Sequence, residues 1–400
     1  MNMETNKPKK VVSPSRAVWR TQMDKGKYTP HRVSLITCVV NQFLTEKIID
    51  FLISIEITVY DETGRIIREY IRKRSFGLPG DKITFESSST KLFRFTVQRQ
   101  SAAAVMNALV HIGEFHIPGR GSLYSQELME FSKEPPVLNT EALTEITKQF
   151  PEHELINNLA CIICVLSDPG SGDQIARIAL ELGICVPVVT RGTGNDIRDQ
   201  LGLIRITIPP EKEIVHLIMP DQDSDSVIKI LIEEGKLDRP GKAFIYKTPV
   251  SSGLIDTRLK IGKQKYPATM EQIISAIDQL KSDTSWRKRL DTEFEKSRIT
   301  KTMKPQDNCE ISIISDEARI DALRETCLEV GAAGAVSSNV NPVLISEETS
   351  ITMIRSAISI PADITDKVVD RLLEISTINE NNTERIQVLD SPAAYVRNGL

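Results

Sequence analysis

Two phrases in the chain set glycine against a cation: PGRGSLY from Pro118 and PGKAFIY from Pro240. Each runs on into an aliphatic residue and a tyrosine. In Gly119-Arg120-Gly121, and in Gly241-Lys242 with Arg239 just upstream, glycine lets backbone N–H groups come close to an anion and the cation supplies charge. That chemistry is phosphate binding; the same letters also write a tight turn into a strand. A third stretch, Thr190-Arg191-Gly192-Thr193-Gly194, adds two hydroxyls and two glycines between apolar runs. It is read as leaving a strand for a variable loop, its hydroxyls free to bond a base or phosphate. Cys161 and Cys164 have CxxC spacing, but LACIICVL reads as a buried strand, on which residues three apart face opposite ways. That favours two core thiols over a metal or redox pair. The five histidines are scattered in sequence, and no Ser-His-Asp set, Walker loop or metal-ligand spacing is present. No catalytic constellation is expected.

The composition bounds the rest. With 400 residues, 40% hydrophobic and 26% charged, and a net charge of −4, the chain is long enough for several cores and not basic enough for a bulk nucleic-acid binder. Six cysteines are too sparse for a disulfide scaffold. No apolar segment follows the basic residues Lys7, Lys9 and Lys10, and no run is long enough to cross a bilayer as a helix, so a cytoplasmic protein is expected.

The elements that must carry the glycine–cation phrases recur along the chain. Strand, helix, strand, polar loop, strand, helix, strand is read three times. In the second copy, ACIICVLS from Ala160 is the first strand, and Ile175, Ile178, Ala179 and Leu182 mark a helix that Gly183 stops. VPVVT, EIVHLIMP and KAFIYKTPV supply the other strands. The first copy has KLFRFTVQ from Lys91 as its third strand, after a long polar loop over residues 72–90. In the third copy Ile320, Leu323, Cys327 and Val330 make the first helical stripe. Its last strand, RIQVLDSP, begins at Arg385, a cation whose glycine neighbours are gone. The domain reading is a flexible tail at 1–30, repeats at 31–133, 159–262 and 309–400, and linkers at 134–158 and 263–308.

VPVVTRGTGNDIRDQLG and LDRPGKAFIYKTPV resemble the PII-like signalling proteins, relatives of the nitrogen regulatory PII family. The resemblance implies an α+β fold of three tandem ferredoxin-like βαββαβ units forming an intramolecular pseudo-trimer. It implies a non-enzymatic sensor that takes an adenine nucleotide (ATP, ADP or AMP) in clefts between units. Thr190 to Gly194, Arg239, Gly241, Lys242 and the Gly119–Gly121 loop would then face the nucleotide, with Arg258 reaching across from a neighbouring unit. No resident cofactor or metal is expected, the chain is expected to be a monomer, and a regulated protein such as a membrane transporter or a metabolic enzyme is the implied partner. An ACT-like amino-acid-binding regulator, or a structural adaptor with empty clefts, are the alternatives.

Overall fold

The computed structural model describes residues 30–73, 81–195, 211–239, 243–256, 303–332, 334–343, 353–376, 378 and 384–397. The first third of the chain forms β1 (Pro30–Asn41), α1 (Thr45–Ser54), β2 (Val59–Lys73), β3 (Asp81–Gln98), α2 (Arg99–Ile112) and β4 (Gly121–Phe131), followed by α3 (Thr140–Thr147). The second forms β5 (Ile156–Leu166), α4 (Ser171–Glu181), β6 (Val188–Asn195), β7 (Glu211–Pro220), α5 (Asp221–Glu234) and β8 (Ala243–Leu254). The third forms β9 (Met303–Asp316), α6 (Glu317–Val330), β10 (Ala335–Val343), β11 (Met353–Pro361), α7 (Thr365–Ile375) and β12 (Arg385–Arg397). Local chemistry sets several of these ends. The Asp316 side chain accepts from Arg319 N–H at the start of α6, and Gly183, at φ +70°, turns the chain after α4.

The twelve strands belong to one antiparallel sheet. Each third contributes a four-stranded wall, in the orders β4-β1-β3-β2, β8-β5-β7-β6 and β12-β9-β11-β10. The walls do not end at their outer strands. β2 pairs with both β6 (Gly64 opposite Thr190) and β10 (Asp61 opposite Asn341), and β10 pairs with β6. At the other edge β4, β8 and β12 pair with one another. Any two walls therefore close a ring, and the sheet has no free long edge among the described residues.

This corrects the expected fold. The chain is a closed antiparallel barrel, not three ferredoxin-like units gathered into a pseudo-trimer. The physical reason is that backbone hydrogen bonding runs on from each third into the next, and so does the packing. The core under α4 and α5 includes Ile67 of β2 and Ala393 and Tyr395 of β12, and the core under α6 and α7 includes Met129 and Phe131 of β4. Two local readings change as well. β3 begins at Asp81, so much of the expected 72–90 loop is strand, and Thr190 to Gly194 lie on β6 rather than in a loop.

The helices cover the outer face of the barrel, and alternation along each strand sends the other residues inward. On β5, Ile162, Cys164 and Leu166 pack under the helices, whereas Cys161 and Ile163 face the interior with Tyr124, Ile214 and Tyr246. Both faces are thus covered, which is why this strand reads as continuous apolar sequence. Cys161 and Cys164 are free thiols on opposite faces; burial raises the pKa of both, that of Cys164 to about 12.

Candidate functional site

The barrel interior is where charge collects. On β3, Phe93, Phe95 and Val97 pack outward under the helices, so Arg94 and Thr96 turn inward. Arg355 on β11 and Arg385 at the start of β12 also reach the interior, and the three guanidiniums line one chamber of about 220 Å³ between the first and third walls. Tyr60, Glu62 and Gln387 add to its polar wall, and the exposed residues Glu56, Thr58, Glu134, Pro135 and Val137 form part of its rim, which thus carries two carboxylates. Gln98 Nε2 donates to the Pro136 carbonyl (3.2 Å), holding that rim segment to the end of β3.

Each guanidinium is anchored by a carboxylate. Arg94 pairs with Glu62, Arg355 with Glu310 (2.8 Å) and Arg385 with Glu130 (3.1 Å). Glu130, with a fully buried side chain, also accepts from Gln387 Nε2 (2.8 Å) and Thr96 Oγ1 (3.0 Å). Burial alone would lower the pKa of Arg385, but the charge of Glu130 and a hydrogen bond with Tyr60 outweigh it and hold the residue cationic. Toward the barrel axis the chamber meets a recess of about 40 Å³, with Leu35, Glu62, Arg94 and Arg355 lining both spaces. At its far side lie His216 and Thr190, whose Nε2 and Oγ1 are 3.4 Å apart. Burial, then the charges of Arg94 and Arg355, push the His216 pKa well below its usual value, so the imidazole is neutral. The arrangement offers fixed cationic donors to an anion and a neutral base beside them.

The glycine–cation phrases are placed elsewhere. Gly119 N–H donates to Asp256 Oδ1 (3.0 Å), and Arg68 pairs with the same carboxylate while donating to the Gly119 carbonyl (3.2 Å). An internal carboxylate thus occupies the donors that were expected to hold a phosphate. Burial raises the Asp256 pKa more than Arg68 and the Gly119 N–H lower it. Arg120 bonds Glu114 (3.0 Å), and Gly121 packs on β1, where an added Cβ would lie 1.8 Å from the Val39 carbonyl oxygen. On β6, Thr190 is buried beside His216 while Arg191 and Thr193 are exposed. Gly192 and Gly194 sit where β6 meets β10; a Cβ on Gly192 would lie 2.7 Å from the Ser337 carbonyl oxygen. Arg239 is exposed, and Gly241, Lys242 and Arg258 lie outside the described residues. The apolar stripe of the 263–308 linker, from Met270 to Leu280, lies outside them too.

Of the expected site residues that are among the described residues, only Thr190 lines the interior recess. Sequence reasoning passed over Arg94, Arg355 and Glu130, yet each had a signal: a charge on the inward alternation of an otherwise apolar strand, as in KLFRFTVQ, ITMIRSAISI and ELMEF. Folding also gathers histidines that the sequence scatters. His111, His116 and His153 have ring centroids 5.9 to 6.2 Å apart, although among the described residues no three His, Cys, Asp or Glu side chains are posed to hold a metal ion. No described helix is long and apolar enough to cross a membrane.

Comparison with known proteins adds little. No family model and no curated protein matches the chain. Among solved structures, aspartate kinase from Synechocystis is matched at 10% identity with a TM-score of 0.21, over 89% of this chain and 56% of that one. The chain thus spans just over half the length of that enzyme. An anthrone oxidase-like protein is matched at 5% identity with a TM-score of 0.16, over 60% of this chain and 95% of that one. Likenesses of this size carry no argument about fold or function.

Proposed function

We propose that the chain is a non-enzymatic sensor that binds a small anionic metabolite in the arginine-lined chamber and passes its occupancy to a partner protein. One observation carries this reading: Arg94, Arg355 and Arg385 converge on one chamber, each held by a carboxylate and so fixed in position before a ligand arrives. Guanidinium groups fixed in this way suit a carboxylate or phosphate oxygen. The carboxylates beside them add the means to hold an ammonium, so an amino-acid-like zwitterion falls within the ligand class. A volume of about 220 Å³ is below the roughly 300–1,000 Å³ of sites for drug-sized ligands, which favours a metabolite smaller than a nucleotide.

A thermal-shift panel of succinate, L-glutamate, inorganic phosphate, ATP, ADP and AMP tests the reading. A ligand at a hundredfold its dissociation constant adds about 2.7 kcal/mol, which raises the melting temperature measurably. The small anions are expected to raise it in the native protein and to lose that effect in Arg355→Met. If only nucleotides raise the melt, or if Arg355→Met responds like the native chain, the chamber is not the site.

A further inference from the structure

We infer that anion binding in the chamber is coupled to uptake of one proton by His216. The inference rests on the chamber reading and adds to it a chemical consequence of how the inner recess is charged. Facing His216 across the axis are Arg94 and Arg355, balanced by their partners Glu62 and Glu310. The other titratable groups around the imidazole are Tyr124 of β4, Cys161 of β5, Tyr246 of β8 and Cys185 just before β6. Burial raises the pKa of each of these four, so all stay neutral near pH 7. With His216 neutral, two cations therefore face two anions and the recess carries no net charge.

Protonating His216 in the empty recess would place a third cation beside two guanidiniums, in surroundings that solvate charge poorly. A bound monoanion changes the balance. The recess holds about 40 Å³ against about 220 Å³ for the chamber, so it admits a single carboxylate-sized group while the rest of the ligand occupies the larger chamber. That group adds one negative charge between Arg94 and Arg355, and a proton on His216 restores neutrality. The ligand enters as the anion, the proton comes from solvent, and both leave together. Thr190 Oγ1, next to Nε2, can accept from the imidazolium N–H.

The test is calorimetric titration of the full chain with succinate, acetate and L-glutamate, whose carboxylates are fully ionised at about pH 7, in PIPES and again in imidazole buffer. These buffers release a proton with different enthalpies, so proton uptake makes the apparent binding heat differ between them. For a binding anion the heats are expected to differ, and affinity is expected to weaken by up to about tenfold per pH unit as pH rises. His216→Gln is expected to bind with an affinity and a heat that no longer depend on pH or buffer. Binding by the native chain with the same heat in both buffers overturns the inference and leaves the chamber reading standing. No binding of any of the three anions overturns the chamber reading itself.

Discussion

Arg355 and Arg94 sit where a strand would otherwise place an apolar residue, and the cost of burying them is met by Glu310 and Glu62. Removing one partner of such a pair leaves the other charged and buried, which costs about 3–5 kcal/mol. Arg355→Met is therefore expected to lower stability by a few kcal/mol in denaturant titration, and the double variant Arg355→Met with Glu310→Gln to recover part of that loss. His216 makes a pH prediction. Its folded pKa is lowered, so below the unfolded value of about 6.5 the unfolded chain binds a proton that the folded chain refuses. Stability from this group is present above that pH and is lost as pH falls through it. The melting temperature is expected to drop between pH 7.5 and 5.5, less steeply in His216→Gln, the unfolding free energy contributed by this group falling with a limiting slope of about 1.4 kcal/mol per pH unit. Gly121 is a third case, since its φ of +142° and its contact with Val39 leave no room for a side chain. Gly121→Ala is expected to cost about 2–4 kcal/mol, measured the same way.

Among the elements, the edge strands do the joining. The end of β8 is tied to the first wall where Asp256 meets Arg68 and the Gly119 N–H, and where Asp256 N–H donates to Ser122 Oγ (2.9 Å). Glycine–cation sequence at the head of β4 thus serves as a latch between neighbouring walls. Asp256→Ala is expected to destabilise the protein and to speed hydrogen exchange at the end of β8 and the start of β4, with β9 to β12 less affected. Equal acceleration throughout would show that the latch is not local. The glycines of β6 belong to the same logic, because Gly192 lets β6 and β10 approach without a side chain between them.

For the molecule as a whole, closure has a thermodynamic consequence. Because the sheet and all three helix-covered cores run across the boundaries between thirds, no wall can leave without exposing backbone and apolar surface on its neighbours. A single cooperative unfolding transition is expected, with fluorescence and circular dichroism coinciding; two separated transitions would mean that the thirds unfold independently. The closed sheet also leaves no long unpaired edge among the described residues to recruit a second chain. Light scattering is expected to report a monomer of 44.7 kDa.

What the sequence determined by itself is local, because alternation and helical spacing are properties of neighbouring residues. LACIICVL is a strand with its two cysteines facing opposite ways, and Ile320, Leu323 and Cys327 lie on the buried stripe of α6. What only the tertiary structure decided is which edges meet. Nothing in VPVVTRGTG says that β6 will pair with both β2 and β10, since a strand's hydrogen-bonding groups are the same whatever partner they find. That choice turned three expected units into one barrel and gave the Gly119 loop a carboxylate of its own chain. It also brought together Arg94, Arg355 and Arg385, which stand far apart in sequence and converge only because two walls enclose the space between them.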